Sequence, residues 1–166
     1  MLTRAGRPPR FPPVRQLIAF LASAGYLGYI PFASGTWGTL AGIPGFWLMD
    51  ALSGSPIVAV AVLALLIGAA CWIAGRAEEV FAEHDSGKIV IDEVVGYMAA
   101  TLFLPLTWTN IIVAFFVFRA LDVLKPFPAG AIDAKLPGGA GVVLDDVVSG
   151  LYSNVVTRLI LLVLPF

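Results

Sequence analysis

From Pro56 to Gly75 the chain runs for twenty residues without one charged side chain. Wound as an α-helix, such a run is about 30 Å long, the thickness of a bilayer's hydrocarbon core. This run constrains the fold more than any other feature, because it names the solvent. Composition agrees: 59% of the 166 residues are apolar and 13% are charged, against about 45–50% and about 25% in soluble domains. The chain therefore reads as an integral membrane protein of one compact unit. Its net charge of −1 offers no basic surface for nucleic acid. The single cysteine, Cys71, lies inside the uncharged run. There it has no electropositive setting to activate it and reads as packing.

In so apolar a chain, each carboxylate beside a hydrophobic segment needs a partner, since a bare buried charge costs several kcal/mol. Three such segments carry acids at one end. Asp92 and Glu93 precede Val94–Leu106. Arg119, Asp122 and Lys125 close Ile111–Leu124. Asp145 and Asp146 open Val147–Phe166. Helix capping accounts for Asp145 and Asp146 and partly for Asp92 and Glu93, because acids favour the positive end of the helix dipole. It fails for Asp122, expected at a helix C-terminus. With Asp85, these acids form a set of hard oxygen donors suited to Mg²⁺.

Other patterns bear on the same end. Arg119 and Lys125 flank Asp122 and can grip a phosphoryl group beside a metal; as a girdle at the membrane interface they would instead snorkel to water. The loop Pro31–Thr39 offers the hydroxyls of Ser34, Thr36 and Thr39 beside Gly35 and Gly38, an anion cradle or simply a turn. Asp146, Gly150 and Asn154 share one face of the last helix, so that face looks into the protein or a wet cavity. His84, the one histidine, reads as a loop residue, with a proton-shuttle role as the alternative.

The arginines Arg4, Arg7, Arg10 and Arg15 lie among four prolines. The stretch 1–13 is expected to be a disordered basic arm, followed by an interfacial helix over Val14–Ala24 rather than a cleaved signal peptide. Gly25–Gly38 and Pro126–Gly141 read as loops. With the arm inside the cell, the positive-inside rule places Arg76–Lys88 and Lys125–Lys135 on the cytoplasmic face. Every clustered acid then falls on that face. Thr39–Leu52 and Val94–Leu106 are shorter than the ~20 residues of an ordinary span, so either they cross or they only enter the bilayer. Arg158 lies about 18–20 Å along the last helix from Asp145.

Four blocks in order carry a resemblance: Gly28–Pro44 (GYIPFASGTWGTLAGIP), His84–Gly96 (HDSGKIVIDEVVG), Phe118–Asp133 (FRALDVLKPFPAGAID) and Gly138–Gly150 (GGAGVVLDDVVSG). The chain resembles the phosphatidylglycerophosphatase A family from Gly25 nearly to its C-terminus. Phe127 stands where the family has tryptophan, and Ala134 where a basic residue is common. The resemblance implies an all-α, multi-helical integral membrane protein of the bacterial inner membrane, with active-site loops on the cytoplasmic face. Residues 14–166 would form a single helical phosphatase domain. The reaction implied is Mg²⁺-dependent hydrolysis of phosphatidylglycerophosphate to phosphatidylglycerol and phosphate. The expected partners are this phospholipid and the surrounding membrane lipids. Asp92, Glu93, Asp122 and Asp146 are then the expected catalytic residues, and Asp85, Asp92, Glu93, Asp122, Asp145 and Asp146 the metal ligands. Arg119, Lys125, Ser34, Thr36, Thr39 and Lys88 are expected to bind substrate phosphate.

The chain has no Cys-x₅-Arg loop and no second histidine, which removes cysteine and phosphohistidine mechanisms. Metal-assisted displacement remains, directly by water or through an aspartyl-phosphate. A CDP-alcohol phosphotransferase would also use spaced aspartates on membrane helices, but its D-x₂-D-G-x₂-A-R pattern is missing. A small ion-coupled transporter would use the acids as an ion path, which the one-sided loops disfavour.

Overall fold

The structure, a computed structural model, describes residues 12–163. The expected basic arm falls mostly outside the described residues. The described chain is all helical, with no strand: α1 Pro13–Ala22, α2 Ser34–Ala41, α3 Ile43–Ala51, α4 Pro56–Phe81, α5 Ile91–Thr101, α6 Trp108–Leu124, α7 Ala129–Lys135 and α8 Gly139–Val163.

The long uncharged run forms α4, with proline in its first turn, where a missing N–H costs nothing. The helix runs on past Gly75 through Arg76, Glu78 and Glu79. The expected polar loop from Arg76 is therefore helical as far as Phe81. One face of α4 is small and buried, with Ala59, Ala70, Ala74 and Ala77 fully covered. Its other face leaves Ile57, Leu65 and Trp72 exposed at 85%, 74% and 63%. An apolar face that wide is of the kind a membrane-crossing helix turns to lipid. Both α4 and α8 are long and apolar enough to cross a membrane.

Three boundaries differ from the sequence reading. The Gly/Ser/Thr loop ends at Ser34, where α2 starts, so its last residues are helical. The Pro126–Gly141 loop contains α7. And α8 starts at Gly139, after Gly138 in the left-handed region at φ 69°. Asp145 and Asp146 therefore lie six and seven residues inside the helix. End effects fade within the first turn, so helix capping does not explain these two acids.

At the centre is α5. Eight of its eleven residues are buried, as expected of a helix covered all round. At about 16 Å it is too short to cross a ~30 Å core. Val95, Met98 and Ala99 pack into a core with α1, α4 and α8. Tyr97 and Ala100 pack into a second core with Phe46 of α3 and Ile111, Ala114 and Phe118 of α6. Against α8, α5 lies parallel in constant register: Gly96 faces Gly150, and Ala100 faces Asn154. A Cβ on Gly150 would overlap the Gly96 carbonyl and sit 3.2 Å from Ala100 N, so only glycine allows this approach.

The same register fixes which end of the bundle is which. The starts of α5 and α8 and the end of α6 meet at one end. The turn 102–107 and Asp50, which accepts from Leu106 N at 3.2 Å, lie at the other.

Candidate active site

Where α5 and α8 come together, their acids come with them. Asp92 lies one turn before Gly96, and Asp146 one turn before Gly150, so the close helix contact sets these carboxylates face to face. With Glu93 they present three oxygens within 4.8 Å of one another. Asp92 and Asp146 are buried at 8% and 4% exposure. Asp92 Oδ1 and Glu93 Oε2 have no hydrogen-bond partner in the fold. Burial, and after it the neighbouring Glu93, pushes the Asp92 carboxyl well above the usual carboxylate range. Burial also raises Glu93, against the pull of the neighbouring Arg119 guanidinium.

Two cations stand beside this cluster, each held by an acid. Arg119 donates from Nη1 to Asp122 Oδ2 at 2.5 Å and approaches Glu93 Oε1 at 3.9 Å. The space for this pair comes from Gly35 on α2. A Cβ there would lie 2.7 and 2.9 Å from the guanidinium nitrogens and inside contact distance of the Glu93 carboxylate. Lys125 caps α6 in the left-handed region. Its Nζ lies 2.8 Å from Asp145 Oδ2 and 3.0 Å from Asp133 Oδ2. Burial lowers the ammonium's pKa, but the two carboxylates outweigh burial and hold it above its ordinary value, so it stays charged.

Asp92, Glu93, Asp146, Asp122, Asp145 and Lys125 line a cavity of about 170 Å³, with Arg119 held against Asp122 outside its lining. Its wall carries Asp85, Asp92, Glu93, Asp122, Asp145 and Asp146 against the ammonium of Lys125, with Ser34 at the edge. Six carboxylates around one small space repel one another unless a cation or protons intervene. Buried oxygens without partners, all hard donors, are the set that suits a divalent cation such as Mg²⁺.

The expected site residues thus divide. Asp92, Glu93 and Asp146 form the tight cluster. Asp122 and Asp145 border the same cavity but are engaged by Arg119 and Lys125. Asp85 sits on the rim, its N–H donating to Glu78 Oε1 at 3.1 Å. Of the hydroxyls, Ser34 reaches the cavity wall, whereas Thr36 and Thr39 are not among its lining residues. Thr39 is fully buried and donates back to Gly35 O at 2.8 Å. Lys88 borders a neighbouring groove instead. His84 pairs with Glu78 on the exposed loop surface, outside the cavity.

Three contributors were missed in the sequence. Asp133, from the third block, reaches Lys125 only because α7 folds the Pro/Gly segment back onto α8. Ser86 and Gly87 line both cavity and groove; their only signal was a place in the second block.

Comparison with known proteins gives this geometry its context. The family model described as phosphatidylglycerophosphatase A matches residues 20–161. A protein of Haemophilus influenzae named phosphatidylglycerophosphatase A is 39% identical over 131 residues, spanning 78% of this chain and 79% of that one. An Escherichia coli protein of the same name is 35% identical over 127 residues, spanning 76% and 73%. No solved structure matches the chain. With the match running from α1 to α8 and taking in every acid of the cavity, the chain belongs to the phosphatidylglycerophosphatase A family.

Proposed function

We propose that this chain is a membrane lipid phosphatase. It hydrolyses the terminal phosphomonoester of phosphatidylglycerophosphate, releasing phosphatidylglycerol and inorganic phosphate, with Mg²⁺ held by Asp92, Glu93 and Asp146. The reaction class rests on the family. The placing of the chemistry rests on one observation: three converging carboxylates, two with a buried unpartnered oxygen, stand beside two cations at one end of the bundle.

Bound there, a divalent cation draws charge from the phosphoryl oxygens and acidifies water. The chain's own residues do the rest. Arg119 is aimed by Asp122, and Lys125 by Asp145, so both charges are fixed before substrate arrives. They neutralise charge that builds on the phosphoryl oxygens as the bond to the leaving oxygen stretches, and such preorganised charge needs no rearrangement during reaction. Asp122 and Asp145 act here as positioning residues.

The site faces the cytoplasm in this proposal. Arg76, Lys88, Arg119, Lys125 and Lys135 belong to the end of the bundle that carries the acids, and Arg158 to the opposite half of α8. A basic bias of this kind orients bacterial membrane proteins with that end inside. The relatives' hosts are bacteria, and apolar helices rather than a β-barrel place such a chain in the inner membrane.

Phosphate release from phosphatidylglycerophosphate by the purified protein in detergent tests both parts. Release is expected with Mg²⁺ and should stop when EDTA removes it. Release that persists in EDTA would remove the metal from the proposal. No release at saturating Mg²⁺ would remove the activity itself.

A further inference from the structure

Next to the acidic cavity lies a larger groove of about 400 Å³, formed by the turn around Tyr29, the start of α2 and the loop after α4. Cavity and groove share a wall made of Ser34, Ser86 and Gly87. We propose that this groove holds the non-reacting half of the headgroup, with Lys88 gripping the substrate's internal phosphodiester. The inference rests on the proposed reaction and adds to it a residue that selects the substrate.

Size and charge carry the argument. The cavity of about 170 Å³ must take a phosphoryl group and its cation. That leaves little room for the glycerol and the second phosphate, which then have to lie next door. The groove offers what a phosphodiester needs. Lys88 projects into it, its Nζ 5.4 Å from the Phe81 ring centroid and 5.8 Å from that of Tyr29. Stacking on two rings fixes the ammonium while leaving its charge available. Among the described residues, no carboxylate lies within ion-pair distance of it. Arg119 and Lys125, by contrast, are both paired.

Glu83, the one acid on the groove's wall, accepts from Ser86 Oγ at 2.6 Å. Ser86 is part of the shared wall, where the glycerol joining the two phosphates would pass. This Ser86–Glu83 pair is placed to accept from the glycerol hydroxyl rather than to hold a phosphate. The outer rim continues into Tyr29 and Phe32, exposed at 46% and 77%. Aromatic side chains of this kind sit at the level of lipid headgroups, which lets the diacylglycerol stay in the membrane.

Substrates that differ in the diester decide the matter. Short-chain phosphatidylglycerophosphate carries a phosphomonoester and a phosphodiester; short-chain phosphatidate carries the monoester alone. Lys88→Ala is expected to lower the ratio of kcat/KM for the first over the second by about tenfold or more, the loss of one charge-assisted contact. Lys88→Arg should keep most of the ratio, because the charge remains. Should the wild type leave phosphatidate untouched, the reading is KM for phosphatidylglycerophosphate, expected to rise about tenfold in Lys88→Ala with kcat within about twofold. An equal fall on both substrates, a fall in kcat alone, or no fall would overturn the assignment. Failure of the wild type to release phosphate from phosphatidylglycerophosphate would instead overturn the proposed function, so the two failures can be told apart.

Discussion

The two ends of the helix bundle handle polar groups in opposite ways. At the far end, the polar side chains close off backbone. Asn154 donates from Nδ2 to Ala100 O and Leu102 O, both at 2.9 Å, and Arg158 donates to Leu102 O at 3.1 Å and Phe103 O at 2.9 Å. Thr107 caps α6 by accepting from Asn110 N. The Ala100 carbonyl in the last turn of α5, and those of Leu102 and Phe103 just after it, are thereby satisfied. At the acidic end, carboxylate oxygens point into a cavity with no partner at all. The same helices, α5 and α8, supply both ends. Asn154, Arg158 and Thr107 serve the fold. Although Thr157 Oγ1 in that half of α8 is also buried without a partner, only at the acidic end do bare carboxylate oxygens, those of Asp92, Glu93 and Asp145, converge on one cavity, kept for something the fold does not contain.

The sharpest way to break that contrast is Asp92→Asn, which keeps the size and removes the charge. Turnover is expected to fall to background. Without metal, the same change should raise the protein's thermal stability. The sign follows from burial: the Asp92 carboxyl is raised in the fold, so its ionised form is disfavoured there, and stability is lost as pH rises through the raised value. Removing the charge relieves that loss. Circular dichroism melts in EDTA and phosphate release at limiting Mg²⁺ provide the two readings. An inactive variant that melts lower than wild type in EDTA would make Asp92 a fold residue like Asn154.

Next in size are the two cations. Arg119→Ala and Lys125→Ala should each lower kcat/KM by about 2–4 kcal/mol, the scale of losing one preorganised contact to transition-state charge. Arg119→Lys should rescue only partly, since an ammonium cannot span two oxygens as a guanidinium can. Steady-state kinetics on equally folded variants checks this. Unchanged kcat/KM in both alanine variants would leave Arg119 and Lys125 as interface anchors.

Much of this arrangement was legible in the chain, because so apolar a sequence makes charge conspicuous. Asp92, Glu93, Asp122, Asp145 and Asp146 stand out against apolar runs, and the lysines and arginines point the same way. What could not be read was set by packing. The segment Gly138–Gly141 looks like a helix breaker by propensity, yet α8 begins there, since only glycine fits Gly139 against the backbone of Cys71 and Gly75. That moved Asp145 and Asp146 into the helix interior and voided their capping explanation. The register between α5 and α8 is a tertiary fact, and with it went the pairing of Asp92 with Asp146. Arg158 was visible as an anomaly, but its partners, the carbonyls after Thr101, appear only once α5 is known to stop there. Lys88 lies four residues before Asp92 in sequence and in a separate groove, a distinction no spacing rule makes.

The smallest expected effect tests the far end directly. Asn154→Ala removes the two donors that hold Ala100 O and Leu102 O. Arg158 still reaches Leu102 O, so mainly one carbonyl is left bare, at a cost of about 1–3 kcal/mol for an unsatisfied buried acceptor. Because Asn154 lies two turns beyond Asp146 on α8, the loss should lower the melting temperature while kcat and the Mg²⁺ requirement stay within about twofold of wild type, as for sites without shared partners. Asn154→Gln restores an amide and should recover part of the stability. If Asn154→Ala instead left stability intact and weakened Mg²⁺ dependence, the two ends of α8 would be one coupled unit, and the polar stripe from Asp146 to Asn154 would belong to the site along its whole length.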